Sequence, residues 1–275
     1  VLVISDRARA VHSDSAERLA RAALGALLGT ESGCVVARHL LAAAQSDEFA
    51  GGRPASPASA TSVAATAVRM LGANVLAPYA LTGRALPPEE SEAVRAVLPV
   101  ARPAGLSPPT AGERERSWEL RWVDWGLACV LHHLDPAAPG PDRTTPPGPP
   151  RCDAGAPRRV DAGPGAEGRS EGWVPWSLRM GRVASLALPC LDGPVHHAAR
   201  RNALPLARGA TRALLRGDYS TAARITRWLA WLAADGVPPC LDVDLLTQDI
   251  ALRGGGRRCL LDVALARQLL DLEIG

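Results

Sequence analysis

Between Trp118 and Asp135, apolar side chains recur on two faces at once. Trp118, Trp122, Trp125, Cys129 and His132 share one; Leu120, Val123, Leu127, Leu131 and Leu134 share the other. Only an α-helix gathers residues at these spacings onto common faces, because a strand alternates with a period of two. A helix that is apolar on two sides belongs between neighbours. The same spacing returns in Ala16, Leu19, Ala20, Ala23 and Leu27, and again in Ile225, Trp228, Leu229 and Leu232. The predicted fold class is therefore all-α, helical bundles of about ten helices. One run departs from the pattern: Val1-Leu2-Val3-Ile4 is β-branched-rich and reads as a short strand.

Start and stop signals divide the rest. Asp14 with Glu17 resembles a capping box that opens a helix ending near Gly29. A second helix is expected over Cys34 to Ala44, before the break at Gly51–Pro57. A third runs through Val63, Ala67, Met70, Leu71 and Asn74 and stops at Pro78. Pro87-Pro88-Glu89-Glu90 starts another, with proline suited to the first turn and acids facing the positive end of the helix dipole. Beyond Trp173, helices are expected to Pro189, over 206–216, 219–234, 241–252 and 259–272, with a short turn at His196–Arg201. Their short connections favour antiparallel neighbours.

Composition changes abruptly at Pro136. The 37 residues to Gly172 hold nine Pro and seven Gly and no Leu, Ile, Met or aromatic. Such a segment cannot offset a backbone ordering cost of roughly 1–2 kcal/mol per residue. It is expected to be a disordered insertion between an N-terminal helical domain (1–135) and a C-terminal one (173–275).

All 31 cationic side chains are arginine; the chain has no lysine. That excludes a Walker A loop, a Schiff-base or pyridoxal-phosphate lysine and the kinase β3 lysine in their usual forms. No nucleophile elbow, H-E-x-x-H, EF-hand loop or dinucleotide-binding glycine pattern occurs either. The six cysteines form no C-x-x-C pair, so no zinc framework follows and a reducing cytoplasm is expected. No basic n-region followed by an apolar core is seen, and no apolar run approaches about 18 uncharged residues, so neither a secretory leader nor a membrane span is expected. Arginine-only, alanine-rich usage fits a high-GC bacterial genome. Residues 173–275 carry 13 Arg against 9 acids, a lean too slight for non-specific nucleic-acid binding.

Candidate binding residues gather in the C-terminal third. Leu214-Leu215-Arg216-Gly217-Asp218-Tyr219 resembles the start of a tetratricopeptide-type helix, in which a glycine and a tyrosine two residues on let two helices pack closely. The resemblance covers one hairpin, about residues 206–234. It implies a helical module that presents a groove to a protein partner. In that hairpin Arg224, Arg227 and Trp231 lie beside the apolar stripe, with Arg227 and Trp231 at i, i+4, a spacing that permits a cation–π contact. Arg201, Arg208, Arg212 and Arg216 are expected along one side of the preceding helix. Tyr219, Arg224, Arg227, Trp231 and Arg212 are the predicted binding residues.

Other constellations read as structural. His132-His133 and His196-His197 are adjacent pairs, and neighbours on a helix point about 100° apart and cannot chelate together. Neither pair continues as the His-His-x-x-x-Asp-Gly of acyl-transfer condensation enzymes. Asp242 is expected as an N-cap, with Asp244 and Asp249 solvated, and Gly254-Gly255-Gly256 as a turn. The expected function is a non-catalytic interaction or regulatory module without cofactor or metal, its partner a protein rather than nucleic acid or membrane. A second expectation is an enzyme, or a metal- or small-molecule-binding protein, with His132, His196 or Asp244 at the wall of a pocket between helices. A third is DNA binding through the helix over 206–216.

Overall fold

The computed structural model describes residues 2–31, 33–49, 59–98, 111–136, 148–150 and 172–271. Among them every regular element is helical. The break at 51–57 lies outside the described residues. So does the proline- and glycine-rich segment, apart from 136, 148–150 and 172.

The helices cluster into two compact units. The first spans Val1–Pro108 and Val123–Pro147, the second Pro109–Trp122 and Gly148–Gly275. The first unit contains α1 (Leu2–Leu27), α2 (Val35–Phe49), α3 (Ala60–Leu71), α4 (Ala77–Thr82) and α5 (Pro88–Val97). Helix α6 (Ala111–Leu134) is divided between the units at Trp122.

The opening run does not form a strand. Leu2–Ile4 begin a helix that continues through Asp14 without interruption. β-propensity describes fit to a pleated surface, and no partner strand exists among the described residues to supply one. Asp14 is therefore an exposed mid-helix residue and not a cap. The stop was placed correctly: α1 ends at Leu27, and Gly29 adopts the left-handed φ of +72°. Pro78 starts a helix instead of ending one. A 3₁₀ turn (Gly72–Val75) intervenes, and Pro78 lies in the first turn of α4, where its missing N–H costs nothing.

In the first unit α1 packs on α2, α3 and α4, and α2 on α3 and α5. Leu19, Ala20, Val36, Val68, Leu76 and Val94 form its core. Side chains satisfy the helix ends. The buried Glu90 carboxylate of α5 accepts the Val36 and Ala37 N–H groups, both at 2.9 Å, at the start of α2. Asp47 accepts the Ala60 and Thr61 amides at the start of α3. The stretch Ala60–Thr82 is long and apolar enough by length and composition to cross a membrane; 56% of its most apolar window is buried within the protein.

The second unit adds α7 (Trp173–Arg182), a 3₁₀ turn (Ala184–Leu186), α8 (Pro194–Arg201), α9 (Ala203–Leu215), α10 (Tyr219–Ala234), α11 (Val243–Arg253) and α12 (Arg257–Asp271). Helix α7 therefore ends well before Pro189, at the 3₁₀ turn. Helix α10 is the hub, in contact with α7, α8, α9, α11 and α12. Every residue from Ala222 to Ala233 except Arg224 is buried. Small residues allow the close approaches. A Cβ on Gly209 of α9 would lie 2.5 Å from the Ser177 side chain of α7. Gly217 has open space around it and φ +71°, so it turns the chain between α9 and α10.

Candidate functional site

The five predicted binding residues fall in two different environments. Arg227 and Trp231 are interior. Arg227 is fully buried at the middle of α10; its Nε donates to the Ala187 carbonyl at 3.3 Å and its Nη1 to Asp262 Oδ1 of α12 at 3.4 Å. Arg224 brings its Nε within 3.9 Å of the same carboxylate. Burial pulls the Arg227 guanidinium down to about 10, opposed by Asp262, and pushes the Asp262 carboxyl up. This pair joins α10 to α12 inside the protein, away from any open groove.

Trp231 is also enclosed. It packs against Trp228 with ring centroids 5.8 Å apart and against His196 at 5.0 Å. Arg200 lies over its ring at 4.9 Å and is held by Asp235 (Nε–Oδ2 2.6 Å) and Asp192 (Nη1–Oδ1 2.9 Å). The cation on Trp231 thus arrives from α8, not from the helix's own i−4 position, because Asp262 and a carbonyl have engaged Arg227. Beside this cluster is a cavity of about 140 Å³ lined by Leu191, Asp192, Arg200, Trp231 and Asp235. Its charges already oppose one another.

His196 lies beneath that cluster, fully buried. Its Nε2 donates to the Leu186 carbonyl at 2.9 Å, and its Nδ1 has no hydrogen-bond partner among the described residues. Burial lowers its pKa to about 4, so it is neutral near pH 7. The ionisable groups around it are Asp192, Arg200 and His197. Asp244 is exposed in the first turn of α11 and accepts from Gln248. His132 is half-buried in the last turn of α6, within the first unit. Among the described residues no group of three His, Cys, Asp or Glu side chains could hold a metal ion.

One thiol sits at a helix start. Cys34, at φ +63°, precedes α2, donates its N–H to the Tyr79 hydroxyl at 2.8 Å and its thiol to Glu89 at 3.3 Å. Burial and Glu89 push that thiol up to about 11, which makes it a poor nucleophile.

Arg212 and Tyr219 lie at the surface. Tyr219, half-buried, opens α10, and its carbonyl accepts the Cys259 thiol at 3.6 Å. Arg212 is exposed on α9 in a continuous stripe. At 100° per residue, Leu204, Arg208, Thr211, Arg212 and Leu215 span an arc of about 100°, and Arg216 follows at the helix end. All six are exposed, Leu215 at 82% and Leu204 at 48%. Arg208, Arg212 and Arg216 have no ion pair among the described residues. Elsewhere in this unit Arg182, Arg200, Arg224, Arg227 and Arg253 each face a carboxylate.

Between α7 and α9 a groove of about 250 Å³ adjoins this stripe, lined by Val174, Leu178, Gly209, Arg212, Arg216 and Asp218. Asp218 is already committed to the N-cap of α10 through the Thr221 amide. The exposed leucines were missed in the sequence, where Leu at helical spacing reads as core. Their signal was the arginine interleaved at 208 and 212. No protein family, curated protein or solved structure matches this chain.

Proposed function

We propose that the chain is a non-catalytic, intracellular interaction module whose C-terminal unit holds an acidic, leucine-bearing segment of a protein partner along α9. One observation supports this above the others: Arg208, Arg212 and Arg216 are unmatched on a face that also exposes Leu204 and Leu215. Five other arginines of the unit face carboxylates, while Arg201 and Arg267 are exposed without an ion pair among the described residues; the α9 face differs in pairing its arginines with two exposed leucines. Leucines in the stripe favour a protein over DNA, whose phosphates ask only for cations and polar donors. The reading requires no cofactor and no metal.

A fluorescein-labelled amphipathic peptide of alternating Leu and Glu faces tests it, with a duplex DNA of similar length as control. Binding of the peptide, weakened at least about tenfold by Arg208→Glu with Arg212→Glu, is the expected result. Stronger retention of the DNA, or peptide binding indifferent to that reversal, would refute it.

A further inference from the structure

The partner segment that α9 calls for is present in the chain itself. Helix α11 exposes Leu245 at 62% and Leu252 at 86%, one turn pair apart on a single face. Asp244 and Gln248 flank this leucine line on one side, Asp242 and Asp249 on the other. Asp242, exposed, caps the helix by accepting the Leu245 amide. Asp249 pairs with Arg253 at 2.9 Å, the one cation on the helix, so acids remain in excess. Both helices pack on α10 with their inner faces. Neither outer face has a cover among the described residues.

We propose that α9 of one copy docks on α11 of a second copy, and the reverse, so that two chains close on each other. This rests on the reading of α9 as a surface for acidic, leucine-bearing segments and names the segment. The helices match in length: 13 residues in α9 and 11 in α11. Set antiparallel, they bring the arginine flank of α9 against the Asp242 and Asp249 flank of α11, with Asp242 near Arg216 and Asp249 near Arg208 and Arg212. Leu245 and Leu252, about 10.5 Å apart along the axis, then lie between Leu215 and Leu204, about 16.5 Å apart. That direction also opposes the two helix dipoles. A single helix pair buries less than the roughly 800 Å² per partner of a standard interface; the reciprocal pair doubles it. A two-fold arrangement satisfies both surfaces and closes, where a head-to-tail one would grow.

Light scattering on the full chain tests this. The wild type is expected to be a dimer that weakens at least about tenfold when ionic strength rises from about 0.1 M to about 1 M, as the screening length falls from about 10 Å to about 3 Å. Arg208→Glu with Arg212→Glu places acid against acid and gives a monomer. Asp249→Arg places base against base and gives another. An equimolar mixture of the two variants restores both contacts and returns a one-to-one heterodimer, which also shows that each variant is folded. A monomeric wild type at low salt overturns the proposal, as does a dimer that survives either reversal, a mixture that stays monomeric, or open-ended assembly. The Leu/Glu peptide, titrated into the wild type with the Arg208→Glu, Arg212→Glu chain as control, separates the two failures. Binding to a monomeric wild type that the control lacks removes only the self-pairing; no binding removes the α9 surface with it.

Discussion

His196 shows how much one side chain can hold when its surroundings exclude water. Neutral and enclosed by Trp228 and Trp231, it has a folded pKa of about 4 against an ordinary 6.5. Between these values the unfolded chain binds the extra proton and the folded chain does not, so stability rises with pH across that window. About 3 kcal/mol is expected to be lost as pH falls from about 6.5 to about 4. Urea titrations at stepped pH values measure it, and His196→Phe should flatten that part of the profile while lowering stability at pH 7, since the Leu186 carbonyl loses its donor. The Arg227–Asp262 pair makes a different prediction. Arg227→Met alone leaves the buried Asp262 carboxylate with only the more distant Arg224 and should cost about 3 kcal/mol, whereas adding Asp262→Leu should recover most of it. Unfolding of the single and double variants checks both. Neither environment was legible in the sequence. Asp262 lies 35 residues from Arg227, and Leu186 is brought to His196 by the 3₁₀ turn after α7. Spacing placed Arg227 beside Trp231, but only the packing of α12 shows which carboxylate claims it.

Elements were far easier to read than their partners. Helix α10 occupies the 219–234 expected of it, because Asp218 marks its start, an unbroken apolar run fills it, and Asp235-Gly236 ends it. The failures share a cause: residues 2–4 and Pro78 were judged by local preference alone, whereas the first have no partner strand among the described residues and the second opens α4. Gly217-Asp218 is read from the sequence as the connection between two helices, and Gly217 turns the chain there; the close approach that the tetratricopeptide resemblance assigns to it falls instead to Gly209. Gly209→Ala should therefore cost about 1–3 kcal/mol by forcing α7 away, and Ser177→Gly in the same chain should return part of it. A double-mutant cycle in denaturant measures the coupling. At the other unit's helix start, Glu90→Ala leaves the α2 amides without an acceptor. A loss of about 1–3 kcal/mol is expected, with faster amide hydrogen exchange at Val36 and Ala37 as its local sign.

For the molecule as a whole, helical periodicity was sufficient to identify the fold class, since every described element is helical. A far-UV circular-dichroism spectrum dominated by helix is expected, and a sheet-dominated one would contradict it. The placement of unpaired charge was less legible, because a list of arginines does not say which of them carboxylates will meet. Helix α10 has one more consequence. Hemmed in on nearly every side by five other helices, it leaves evolution almost no room there. In any lineage that keeps this architecture, α10 should drift slowest and only by swaps of equal volume. The outward rows of its flanking helices should change freely, except where one sign of charge must answer another.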